Sequence, residues 1–290
     1  MQALRHALSV IPSDTTELIF PKEFNQSIEL GELPLSLKKL VLSEKFNSEI
    51  QLGSIPEGLV EINFGHQYNK PIVPGLLPRS LEKLTLSFNF DKLLKLGSIP
   101  ENLREIRFGS SYSYHITPGL LPNSMRKIVL PYYFQSELEI GSVPEGVEEI
   151  DFGHVYNHPI RLGVLPKSLK KLKLSWCFNS TIDSGSIPDK VEFIDFGYDY
   201  AHELTPSVIP SGLRELIISR SYPGSFEDIP RSVKLFSIGK HIPDTRYTFL
   251  SYMFETIKKI NRQISALDNV RVSAVYEYNE YYAADIEPIV

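Results

Sequence analysis

The chain has a single cysteine, Cys177, in 290 residues. That excludes an intrachain disulfide and a cysteine metal cluster and suits a reducing compartment. No apolar run approaches the roughly 18 residues that cross a bilayer. The opening MQALRHALSV is too short and too polar for a secretory signal. Positive charge is not in excess: 30 Lys and Arg stand against 35 Asp and Glu, which argues against a generally basic nucleic-acid surface. Also missing are a phosphate-cradling glycine loop, a paired-histidine metal motif and a nucleophile elbow. The absences point to a cytoplasmic protein that is not an enzyme, needs no cofactor or metal, and binds neither membrane nor nucleic acid. Turn-forming residues, by contrast, are abundant, with 21 prolines and 17 glycines.

The spacing of the prolines carries the architecture. From Pro12 through Pro34, Pro56 and onward to Pro210 they recur every 22 residues without an insertion. With the proline as position 1, position 7 is Leu or Ile (Leu40, Ile62, Leu84, Ile106) and position 13 is always aromatic (Phe24, Phe46, Tyr68, Phe90). Position 20 is almost always Gly. Apolar positions 7 and 9 alternate with polar neighbours, which is the pattern of a short strand with one buried face. A 22-residue unit cannot bury its own apolar side, so units must stack and align equivalent side chains in rows. The prediction is a mainly β solenoid of about ten or eleven coils over residues 1–243, with strands parallel and one coil apart. Position 6 alternates sign, Lys39, Glu61, Lys83, Glu105, Lys127, Glu149, Lys171, which fixes register because a one-coil slip sets like charges together. A longer period overlies the first. Phe64-Gly65, Phe108-Gly109, Phe152-Gly153 and Phe196-Gly197 mark every second coil, and Leu-Ser marks most of the others.

The segments FNSEIQLGSIP (46–56), YNKPIVPGLLP (68–78) and FNSTIDSGSIP (178–188) resemble the FNIP repeat, a leucine-rich-repeat-like family abundant in slime moulds and giant DNA viruses. The resemblance covers about residues 10–243. It implies a right-handed leucine-rich-repeat-like coil, a protein-interaction role, and host cytoplasm as the compartment if the source is viral. Members often carry an F-box-like segment beside the array and recruit substrates; no such segment is evident here. Leucine-rich repeats place an Asn three residues after the last strand leucine. Here the asparagines fall at position 14 (Asn25, Asn47, Asn69, Asn157, Asn179), so an internal asparagine ladder capping the turn backbone is expected at a shifted place.

Residues 244–290 depart from the repeat. Phe249, Tyr252, Met253, Ile257, Ile260, Ile264 and Leu267 fall at helical spacing, which predicts a capping helix over about 245–268, then a strand and an acidic, Tyr-rich tail. The short N-terminal segment leaves homodimerisation through the N-terminal edge open.

For function, the outward rows are the variable ones. Position 8 includes Arg107, Asp151 and Asp195; position 11 includes Phe88, Tyr132, His154, Trp176 and Tyr198. Aromatic and Arg side chains are typical of protein-binding hot spots. Arg107, Tyr132, Asp151, His154, Trp176, Asp195 and Tyr198 are therefore the candidate binding residues for a protein partner, with a glycan as the alternative ligand. Packing of the same rings beneath the turn remains open at this stage. A hydrolytic reading places His154 and Asp151 on one coil beside Ser175 and Cys177 on the next; it ranks last, because Asn63 and His66 hold the same positions elsewhere. His66 and His154 share a row but lie four coils, about 19 Å, apart, too far to ligate one metal.

Overall fold

The computed structural model describes residues 11–219, 222–224, 229–230, 232–233, 235–238 and 271–273. The N-terminal half coil, the helix expected at 245–268 and the Tyr-rich tail lie outside the described residues. Twelve strands form one parallel sheet in strict chain order. The first ten, from β1 (Glu17–Ile19) to β10 (Glu215–Ile218), each begin 22 residues after the last. β11 (Leu235–Ile238) follows at the shortened interval, and β12 (Arg271–Ser273) adds in parallel to β11. Register is the one the charges require: Lys39 faces Glu61, Leu40 faces Ile62, Val41 faces Asn63. The molecule is a leucine-rich-repeat-like solenoid. No helix among the described residues is long and apolar enough to cross a membrane.

Two turns close each coil. The proline carbonyl accepts the position-4 N–H, as in Leu37 to Pro34 at 3.1 Å. On the far side, position 18 accepts from position 21 (Ser54 to Gln51, 3.0 Å; Ser142 to Glu139, 3.0 Å). Position 20 lies at φ near +80° (Gly53 82°, Gly97 81°). That is a type II turn, which needs glycine at its third residue and accepts proline at its second; Pro74 and Pro118 stand at that second place.

The core runs continuously along the array. Position 4, 7, 9, 13 and 17 side chains are buried in every coil from that of Pro34 to that of Pro188. The 44-residue period has a packing cause. In Phe-Gly coils the position-9 ring tilts against the position-13 tyrosine of its own coil (Phe64–Tyr68, 4.6 Å; Phe152–Tyr156, 4.8 Å). That tyrosine also stacks on the position-13 phenylalanine of the coil before (Phe46–Tyr68, 5.8 Å; Phe134–Tyr156, 6.1 Å). Three rings thus make a cluster two coils thick, with Leu at position 9 of the other coil leaving the room.

Polar rows reinforce the stack. Along position 6, Glu149 bridges Lys127 at 3.1 Å and Lys171 at 3.0 Å, and Lys39 bridges Glu17 and Glu61. A second charged row at position 5 pairs Arg104 with Glu82, Lys170 with Glu148 and Arg214 with Glu192. The asparagine ladder also forms: Asn25 Oδ1 accepts the Asn47 N–H, Asn47 that of Asn69, and Asn157 that of Asn179. It is not internal. Asn25, Asn47, Asn157 and Asn179 are exposed and Asn69 is half-buried, because position 13 already fills the interior.

Candidate functional site

Four consecutive coils bring Tyr132, His154, Trp176 and Tyr198 into one column. Ring centroids are 4.3, 5.8 and 4.8 Å apart with interplanar angles of 7°, 15° and 11°. The sequence shows these aromatics as a broken row; in the fold His154 closes the interruption. Backbone bonds set the spacing, since His154 donates to Tyr132, Cys177 to His154 and Tyr198 to Trp176. All four rings are half-buried. Tyr133 meets Tyr132 edge-on at 4.7 Å and is 55% exposed. His66 and Phe88 form a separate two-ring stack at 4.7 Å, divided from the column by the buried Ser110.

The position-8 residues are not left free by the fold. Asp151 Oδ1 accepts the Gly153 N–H at 2.8 Å, and Asp195 Oδ1 accepts the Gly197 N–H at 2.9 Å; Asn63 does the same for Gly65. In these three coils the glycine sits at φ 70–72°. Where Arg107 takes the place, Gly109 is not in that region, and Tyr112 instead donates to Gly109, the turn used by the Leu-Ser coils. A carboxylate or amide at position 8 therefore selects the turn that carries position 11. Asp151 and Asp195 position the rings of His154 and Tyr198. The signal is legible as Asn/Asp-Phe-Gly against Arg-Phe-Gly, but its meaning depends on the turn.

Electrostatics match this enclosure. Burial raises the Asp151 carboxyl above its ordinary value, against the opposing pull of Lys173 at 3.6 Å, the Gly153 N–H and Arg107. Burial lowers the His154 imidazole, with Asp199 acting the other way, so the ring is held toward its neutral, stackable form. The hydrolytic arrangement does not form. Ser175 is fully buried and donates to the Tyr156 carbonyl, as Ser43, Ser87 and Ser219 do in their coils; it is an inter-coil tie. The Cys177 thiol is pushed up by burial and by Asp199, the opposite of an activated nucleophile. Among the described residues no group of three or more His, Cys, Asp or Glu is placed to hold a metal.

Comparison with known proteins agrees with the coil geometry. The FNIP Repeat family matches in eight overlapping two-coil windows, from residues 24–67 to 178–221. The chain belongs to the FNIP repeat family. A solved structure, that of CroV588, a circular leucine-rich-repeat protein of a giant virus, superposes with a TM-score of 0.69 at 27% identity. The alignment covers 81% of this chain and 38% of CroV588, so this chain spans well under half of that protein's length. A leucine-rich-repeat protein from Bacteroides ovatus covers 92% of this FNIP chain and 83% of its own, but at 14% identity and a TM-score of 0.23 it carries no argument. No curated protein matches. A repeat solenoid of this kind is typical of protein-interaction scaffolds.

Proposed function

We propose that this FNIP solenoid is a non-enzymatic scaffold that holds a protein segment along the column Tyr132–His154–Trp176–Tyr198. One observation carries the reading: the column is a second stack of rings, half-exposed, in a molecule whose core is already filled by the position-13 row. Stability does not call for it, whereas rigid aromatic edges beside the charged neighbours Arg107 and Lys173, with Asp151 and the buried Asp195 fixing the turns beneath, make an interface centre. The geometry favours a protein over a glycan. A sugar packs its C–H groups on a ring face, and here the faces between successive rings are occupied by their neighbours. In an adaptor that recruits substrates, this column is the substrate-holding face.

Trp176 is the only tryptophan, so it reports on its own column. Affinity capture with the wild-type chain and with Trp176→Ala, each shown to unfold at a similar temperature, tests the reading. A protein recovered by the wild type and lost at least about tenfold with Trp176→Ala, whose addition also shifts wild-type tryptophan emission, is the expected result. Equal recovery by both chains overturns it.

A further inference from the structure

A different part of each coil presents an apolar ridge. The second residue of the type II turn, position 19, is apolar in seven successive coils, from Leu30 and Leu52 through Pro74, Leu96, Pro118 and Ile140 to Leu162. It is exposed in each of these coils. Leu96 is 68% exposed and Ile140 70%. The turn asks only for φ near −60° at this place, which polar residues satisfy equally. The aliphatic side chains therefore have no role inside their own coil. Several lean toward the glycine of the next turn: a Cβ built on Gly75 or Gly163 comes within 3.8 Å of Leu52 or 3.6 Å of Ile140, whereas one on Gly119, the turn after Leu96, meets nothing within 4 Å, so the tips line up in a row along the ridge. Exposed apolar surface gathered in such a row marks an interaction site.

The charges flanking the row identify the occupant. At position 18, just before each tip, Lys95 and Glu139 are both exposed, and neither has an ion pair among the described residues, although the strand-face charges are largely laddered. They lie one coil to either side of Thr117 and Pro118. We propose that a second copy of this chain packs on the ridge antiparallel, about a two-fold axis at Pro118. That axis keeps position 18 against position 18 and sets coil against coil in reverse order. Lys95 then faces Glu139 of the other copy, twice over, while Leu96 meets Ile140 and Pro74 meets Leu162. Further out, Val73 meets Arg161 and Gln51 meets Asp183, so no like charges oppose at these positions. A parallel arrangement offers none of this matching. About this axis the five tips from Pro74 to Leu162 meet apolar tips and Leu52 meets Ser184; with the flanking side chains they form the centre of a patch to be compared with the roughly 800 Å² per partner of a stable pair. The surface is isologous and closes as a dimer.

Sedimentation of the full chain tests the proposal. The wild type is expected as a dimer, and Leu96→Glu as a monomer with unchanged circular dichroism and unfolding temperature. Lys95→Glu alone and Glu139→Lys alone each weaken the dimer by about tenfold or more, since each sets two like-charge contacts in place. The double exchange, Lys95→Glu with Glu139→Lys, restores it. A monomeric wild type, a dimer indifferent to Leu96→Glu, or a double exchange no better than the single variants overturns the proposal. None of these outcomes depends on the aromatic column.

Discussion

Gly197→Ala is expected to lose several kcal/mol of stability, while Gly185→Ala loses only about 1 kcal/mol. Both glycines lie in the left-handed region, at φ 71° and 73°, so the backbone penalty for a side chain is similar. The surroundings differ. At Gly185 an added Cβ meets only the end of Leu162 at 3.9 Å; at Gly197 it falls 2.0 Å from the Ser175 carbonyl oxygen and 3.4 Å from the Trp176 Cα. That carbonyl already accepts the Phe178 N–H at 3.1 Å, so it cannot retreat without opening the turn of its own coil. The combined cost at Gly197 is about 3–5 kcal/mol, and the displacement reaches the column, so Trp176 emission changes as well. Denaturant unfolding of the two variants checks this, and equal losses contradict it.

The second large effect is alkaline unfolding. Burial in the position-13 row pushes Tyr112, Tyr156 and Tyr200 up from 10.0 to about 12, and pushes Tyr68 in the same direction. A folded-state value above the unfolded one means that these phenols contribute stability in full below pH 10. The contribution is lost as pH rises from there to about 12, where the unfolded chain sheds protons the fold must keep. The chain is therefore expected to unfold cooperatively in that window, with tyrosinate absorbance and loss of circular dichroism rising together. Tyr112→Phe with Tyr156→Phe moves the transition to higher pH at little cost at neutrality, because the row already takes Phe at Phe134 and Phe178. A transition unmoved by the double variant contradicts the assignment.

The parts of this structure that were legible in the sequence are those enforced by every coil. Strand positions, parallel order and charge register follow from a fixed period, and one wrong coil would break the whole row. The two-coil period was visible too, although its cause, the three-ring cluster of Phe134, Phe152 and Tyr156, needed coordinates. The site was only half legible. Asp151 and Asp195 stood out as variable surface residues, yet their carboxylates cap the following glycine, a role that depends on a turn whose type varies between coils. Ser175 and His154 were adjacent in register, but the hydroxyl points inward to the Tyr156 carbonyl, a direction periodicity does not encode. The ridge is not legible in the sequence because position 19 mixes Leu and Ile with Pro, and its exposure emerges only once the type II turn is known.

The central claim is that coils fold only against neighbours of the complementary kind, so that two coils, not one, are the unit of the array. Thermal unfolding of two excised chains tests it most directly. Removing residues 78–121 joins the coil of Glu61 and Phe64 to that of Lys127 and Leu130, which preserves both alternations. Removing only 78–99 joins Glu61 to Glu105 and Phe64 to Phe108, setting like charges and large rings in the same rows. The account predicts that the chain lacking the longer piece unfolds cooperatively and at the higher temperature. A chain lacking 78–99 that is as stable as, or more stable than, the one lacking 78–121 would contradict it.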